Sequence, residues 1–114
     1  MKYDLEERSY KFAADVRALV KKLGNSLSVI EDGKQVIRSS GSVAANYIEA
    51  NDSLSKKDFL YRIKLCRKES KESILFLRLL DVSGNIEYNK RKSELVNEAT
   101  ELMKIFGTIL HNSK

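Results

Sequence analysis

Apolar residues recur at the helical period in four separate stretches, and no proline falls anywhere among the 114 residues to break them. With only 5 glycines and 32% charged residues, the chain offers long helices few interruptions, so the expected fold is all-α. This length makes one ordinary domain, residues 1–114, which can bury a core without disulfide or metal. The amino-terminal run MKYDLEERSYKF is too charged for a signal peptide, and no apolar run approaches the roughly 18–20 residues of a spanning helix, so a cytoplasmic location with no membrane contact is expected.

The first helix is expected from a cap at Asp4 to about Leu23, with Glu6 and Glu7 opening it and Lys21 and Lys22 closing it, as the helix dipole favours. Leu5, Ser9, Phe12, Ala13, Val16, Leu19, Val20 and Leu23 share one arc, its core face. Gly24 and Asn25 stop it. A second helix, from about Ser28 to Ala50 or Asn51, carries Val29, Val36, Ile37, Val43, Ala44, Tyr47 and Ile48 on its arc, with Gly33 and Ser40 among them. Ser39, Ser40, Gly41 and Ser42 read either as a turn or as small residues that admit a neighbouring helix. The arc continues on both sides of them, which favours one unbroken helix. As a phosphate loop their spacing matches no fingerprint.

Ser53 or Ser55 caps the third helix, and Ser55 with Asp58 three residues on comes close to a capping box. This helix is expected to reach about Val82 and has three faces. Phe59, Ile63, Cys66, Ser70, Ser73, Ile74 and Leu77 form the core face. Tyr61, Leu65, Phe76 and Leu79, with Leu75 adjacent, form a second apolar face opposite. Lys57, Lys64, Arg67, Lys68, Lys71 and Arg78 fill one gap between the two. A helix in a monomeric bundle needs one apolar stripe, so the second is expected to be an interface with another copy of the chain; cover by the fourth helix or by a bend of the second is the alternative. Ser83, Gly84 and Asn85 form the next turn, and Asn89 or Ser93 starts a last helix with Leu95, Val96, Ala99, Leu102, Met103, Phe106, Ile109 and Leu110 on a broad arc. The polar residues His111 to Lys114 are expected to fray. Four helices with short connections predict an antiparallel up-down-up-down four-helix bundle.

Charge is concentrated in the third helix. Between Lys56 and Lys71 seven basic residues face two acids, which accounts for the whole formal charge of +5, because the remainder has fourteen of each sign. Such a stripe is either a phosphate-binding surface or a solvated helix face. As a binding surface it suits RNA or DNA, contacted along the backbone rather than read base by base. Glu69 and Glu72 lie near lysines of their own helix, Glu72 four residues from Lys68, and are expected to form local surface ion pairs.

No catalytic constellation is present. His111 is the only histidine and Cys66 the only cysteine, which leaves no triad, no conventional zinc set and no Glu-x-x-His pair for a di-iron site. No enzyme, cofactor or metal is expected, and Cys66 reads as a small buried hydrophobe.

The segments Ile37 to Ala50 (IRSSGSVAANYIEA), Ser53 to Phe59 (SLSKKDF) and Lys68 to Leu80 (KESKES and a leucine-rich continuation) resemble the four-helix-bundle proteins encoded within intervening sequences of bacterial 23S ribosomal RNA genes. Two positions depart from that pattern: Ala44 stands where glycine is expected, and Phe76 where tryptophan is usual. The resemblance implies a bundle that closes into a cyclic homo-oligomer, with a homopentamer favoured. It extends to the accessory proteins of diversity-generating retroelements, basic pentameric bundles that bind nucleic acid and a reverse transcriptase, and so implies nucleic acid and a reverse transcriptase as partners. The competing expectation is an assembly or adaptor module whose partner is another protein.

Overall fold

A computed structural model describes the backbone of residues 2–113 and the side chains of residues 5–113. Among the described residues there are four helices and no strand: α1 (Lys2–Lys22), α2 (Leu27–Asn51), α3 (Lys56–Leu79) and α4 (Ile86–Asn112). They pack as a four-helix bundle of 45 × 21 × 20 Å, in which α1 touches α2 and α4, and α3 touches the same two helices from the other side.

The core follows the four apolar arcs. Phe12, Val16 and Leu19 of α1 meet Val36 and Val43 of α2, Ile63, Cys66 and Leu77 of α3, and Ala99, Leu102 and Phe106 of α4, each at most 2% exposed. The Tyr47 and Phe106 rings lie tilted at 5.9 Å between centroids, a favourable aromatic geometry. Ile48 departs from expectation: it is 53% exposed, because α2 turns it out beyond the edge of the arc.

The Ser39 to Ser42 run is helical throughout. Ser39 and Ser40 are buried, and the Ser39 and Ser73 hydroxyls share a hydrogen bond of 2.8 Å across the α2/α3 seam. Ser70 donates to the Cys66 carbonyl at 2.8 Å, and Ser9 to the Leu5 carbonyl at 2.7 Å. Small hydroxyl side chains that satisfy themselves on their own helix let the neighbouring backbones draw close without stranding a polar atom. Among the described residues no buried side-chain nitrogen or oxygen lacks a partner. Gly33 serves the same purpose against α1, since a Cβ there would meet Val20 Cγ1 at 3.0 Å.

Several helix ends differ from the sequence reading. Helix α1 begins at Lys2, so Asp4 lies inside its first turn; the Asp4 side chain, like Lys114, is outside the described residues. Gly24 follows α1 without the positive φ of a left-handed cap. Helix α3 is capped by Ser55, whose hydroxyl accepts from the Asp58 amide at 3.1 Å. It ends at Leu79, three residues early, because Leu80 is extended. Leu80 and Val82 alternate into the core with the period of an extended segment, and Leu80 also suits the helical arc of Leu77, so the apolar pattern alone does not tell the two apart. The chain then reverses through Ser83 and Gly84, both at positive φ (53° and 71°), closed by the Asn85 amide donating to the Val82 carbonyl at 3.0 Å. Asn85 caps α4, its side chain accepting from the Tyr88 amide at 2.9 Å, so the last helix starts before both Asn89 and Ser93.

Candidate functional site

All six basic residues of the stripe are exposed, and none forms an ion pair among the described residues. Their neighbours explain why. Glu69 and Glu72 do not pair with the lysines of their own helix: Arg38 of α2 takes both, Nη2 approaching Glu69 Oε1 at 3.3 Å and Glu72 Oε1 at 2.7 Å. The Glu69 hydrogen bond is the largest cause of the Arg38 pKa standing above its ordinary value. An arginine from the adjacent helix thus removes the two acids that the local reading placed against the stripe, and the cations keep their charge uncompensated.

The stripe is not a single surface. Lys64, Arg67, Lys68 and Lys71 converge with Glu72 on an open groove of about 810 Å³ between α3 and α4. Lys57 stands outside it, in the first turn of α3. Arg78, in the last turn, lines a separate recess of about 350 Å³ with Lys92, Ser93, Val96 and Asn97. There Lys92 is engaged, donating to the Arg78 and Leu80 carbonyls at 2.9 and 2.8 Å and satisfying the carbonyl end of α3.

The opposite wall of the large groove comes from Gly107, Leu110 and His111 of α4, three residues absent from the sequence-based site. Their signal was present, since positions spaced three and four apart share a helix face. His111 was set aside as part of a frayed end, but α4 stays helical to Asn112 and carries the imidazole in its last turn. Gly107 leaves room in the groove: a Cβ there would meet only the Arg67 Nε, at an ordinary 3.9 Å. By contrast a recess of about 380 Å³ between α1 and α4 mixes signs, with Lys11 bonded to Asp15, and Glu98 gripped by Arg8 through bonds of 2.7 and 3.0 Å.

The second face of α3 is partly open. Tyr61, Leu75 and Leu79 are 58%, 50% and 54% exposed, whereas Leu65 and Phe76 are half-buried and Phe76 packs against the core. Cys66 is buried on the core face, its thiol donating to the Val43 carbonyl at 3.6 Å, and loss of solvent pushes its pKa up to about 12. A thiol in that state is neither nucleophile nor metal ligand at neutral pH.

The model of the 23S rRNA-intervening sequence proteins matches residues 1–108. The chain belongs to this family. Among solved structures it is similar to a Bacteroides thetaiotaomicron protein of unknown function from the S23 ribosomal protein family, with a TM-score of 0.79 and 29% sequence identity over 93% of this chain and 97% of that one. A search of curated proteins returns no match. The structural likeness agrees with the four-helix fold, and neither comparison names a chemistry for the groove. No helix among the described residues is long and apolar enough to cross a membrane.

Proposed function

We propose that this intervening-sequence protein is a non-enzymatic, homo-oligomeric bundle of antiparallel up-down-up-down topology that binds the nucleic-acid backbone through the α3/α4 groove. The observation that carries the reading is the convergence of Lys64, Arg67, Lys68 and Lys71, without ion-pair partners, on one concave surface. Phosphates attract such a cluster irrespective of sequence and release counterions on binding. The antiparallel reading is supported by contacts whose numbers rise on one helix as they fall on the next: Val43 with Cys66 and Asn46 with Arg62 across α2 and α3, Asn51 with Glu6 and Ile37 with Arg17 across α1 and α2. A cyclic assembly, a pentamer favoured, would repeat the groove and turn weak contacts into avidity along one strand.

The test is charge reversal of Lys64, Lys68 and Lys71 to Glu, with affinity for RNA and DNA followed by anisotropy across a salt series. Loss of binding and a shallower salt slope are expected; an unchanged slope would remove the groove from the reading. A second reading, an adaptor whose partner is a protein, is supported by the exposed Tyr61, Leu75 and Leu79. Pull-downs before and after nuclease treatment separate the two, because a protein partner survives nuclease.

A further inference from the structure

The α3/α4 groove differs in kind from a strip of surface lysines. Its α3 wall is cationic, and its α4 wall offers a glycine, the half-buried Leu110 and one aromatic ring, His111. The one acid at its edge, Glu72, is held by Arg38 at 2.7 Å. Its volume, about 810 Å³, lies within the roughly 300–1,000 Å³ of clefts that hold ligands. We infer that this groove seats an unpaired nucleic-acid strand, with phosphates on the four α3 cations and a sugar or base on the Gly107, Leu110 and His111 strip. The inference rests on the nucleic-acid reading above and narrows it from any backbone to single strands.

Two features point to one strand rather than two, the width of the trough and the make-up of its walls. Neighbouring helix axes typically lie about 8–10 Å apart, so the trough between them is narrow beside a duplex whose major groove alone is about 12 Å wide. A duplex can rest on the rim, where its phosphates meet lysines, but its bases stay stacked inside and cannot reach the α4 wall. Single-strand binders combine the same two elements found here, a cationic track for the backbone and a flat ring on which a base stacks. Lys64 and Lys71 are seven residues apart, a rise of roughly 10 Å along α3, which is about three steps at the 3.4 Å per-strand phosphate spacing of a duplex and so suits a run of phosphates on one strand, paired or not. Gly107 makes the space: a Cβ there would find only Arg67 Nε, at 3.9 Å, within contact distance.

The experiment measures binding of a labelled oligouridylate of about ten nucleotides, within the site sizes of single-strand binders, against a duplex of equal length. Wild type is expected to prefer the single strand, with a log–log salt slope of about −2.8 per groove, the value for four phosphates on a single strand. Gly107→Leu fills the groove at constant charge and is expected to weaken binding at least about tenfold, whereas Lys21→Gln with Lys22→Gln on α1 leaves it unchanged. His111→Ala is expected to cost about fivefold or more, the lower range for one stacked base, and His111→Phe to restore it. Circular dichroism and thermal melts confirm that each variant is folded. If wild type binds but takes the duplex equally well, and Gly107→Leu binds as wild type does, the single-strand seat is wrong while the backbone reading stands. If wild type binds neither probe, both fall. A Gly107→Leu protein that sediments at a different mass would show a second copy occupying the groove and overturn the inference.

Discussion

Cys66 gives the sharpest consequence at the scale of one residue. Burial strips water from the thiolate and pushes the pKa of this thiol from its ordinary 9.0 up to about 12 in the folded chain. Between those values the unfolded chain has lost a proton that the native chain keeps, so stability falls as pH rises, by about 1.4 kcal/mol per unit. Below the lower value the effect is absent. Urea unfolding of wild type and Cys66→Ala at about pH 7.5 and about pH 10.5 is expected to show the difference between them move by about 2 kcal/mol in favour of the variant. A constant difference would place the thiol in contact with water. The burial of Cys66 was legible from its place on the helical arc; the fate of Glu69 and Glu72 was not. Their nearest charges along the chain are lysines, but helix geometry aims both carboxylates at α2, and only packing brings Arg38 to them. For Gly107, Leu110 and His111 the shared helix face was legible from their spacing, but that this face stands across a groove from the α3 cations was not, because only packing brings α3 and α4 together.

At the scale of elements, four helices and their core faces could be read from periodicity, because burial and the helical period are one signal when nothing else interrupts it. Ends were less legible, being decided by single hydrogen bonds. Asn85 illustrates this: it belongs to the turn by composition and to α4 by the bond it accepts from Tyr88. Asn85→Ala is expected to lower stability by about 1 kcal/mol, the usual cost of a lost cap, while Asn89→Ala, exposed within the first turn, stays within about 0.5 kcal/mol. Equal losses in denaturant titrations of the two variants would relocate the helix start. The α3 core face carries far more than its ends. Ile63 and Leu77 are 0% exposed, and Ile63→Ala or Leu77→Ala is expected to cost about 2–5 kcal/mol, a large part of the roughly 5–15 kcal/mol that holds an ordinary domain folded.

For the whole molecule, the question is what covers the outer face of α3. Phe76 is a poor probe, since its ring is half-buried and packs on the core, and an acid there would disturb the fold as well as any contact with another copy. Leu79 is 54% exposed and Leu75 50%, so Leu79→Asp or Leu75→Asp leaves the core intact and places a charge only where another copy would sit. Sedimentation equilibrium is expected to find an oligomer for wild type and a folded monomer for Leu79→Asp; a wild type that sediments as a monomer removes self-assembly altogether. The same variant links assembly to binding. Each monomer keeps Lys64, Arg67, Lys68 and Lys71 and hence its own groove. A strand long enough to reach several copies is expected to bind the monomer about 10²–10⁴-fold more weakly than the oligomer, the loss that follows when linked sites become single ones. A strand short enough to fill one groove should bind both forms alike. If short and long strands lose affinity equally in Leu79→Asp, the outer face of α3 contacts the strand itself, and the division of this helix into a core face, an assembly face and a binding face would have to be redrawn.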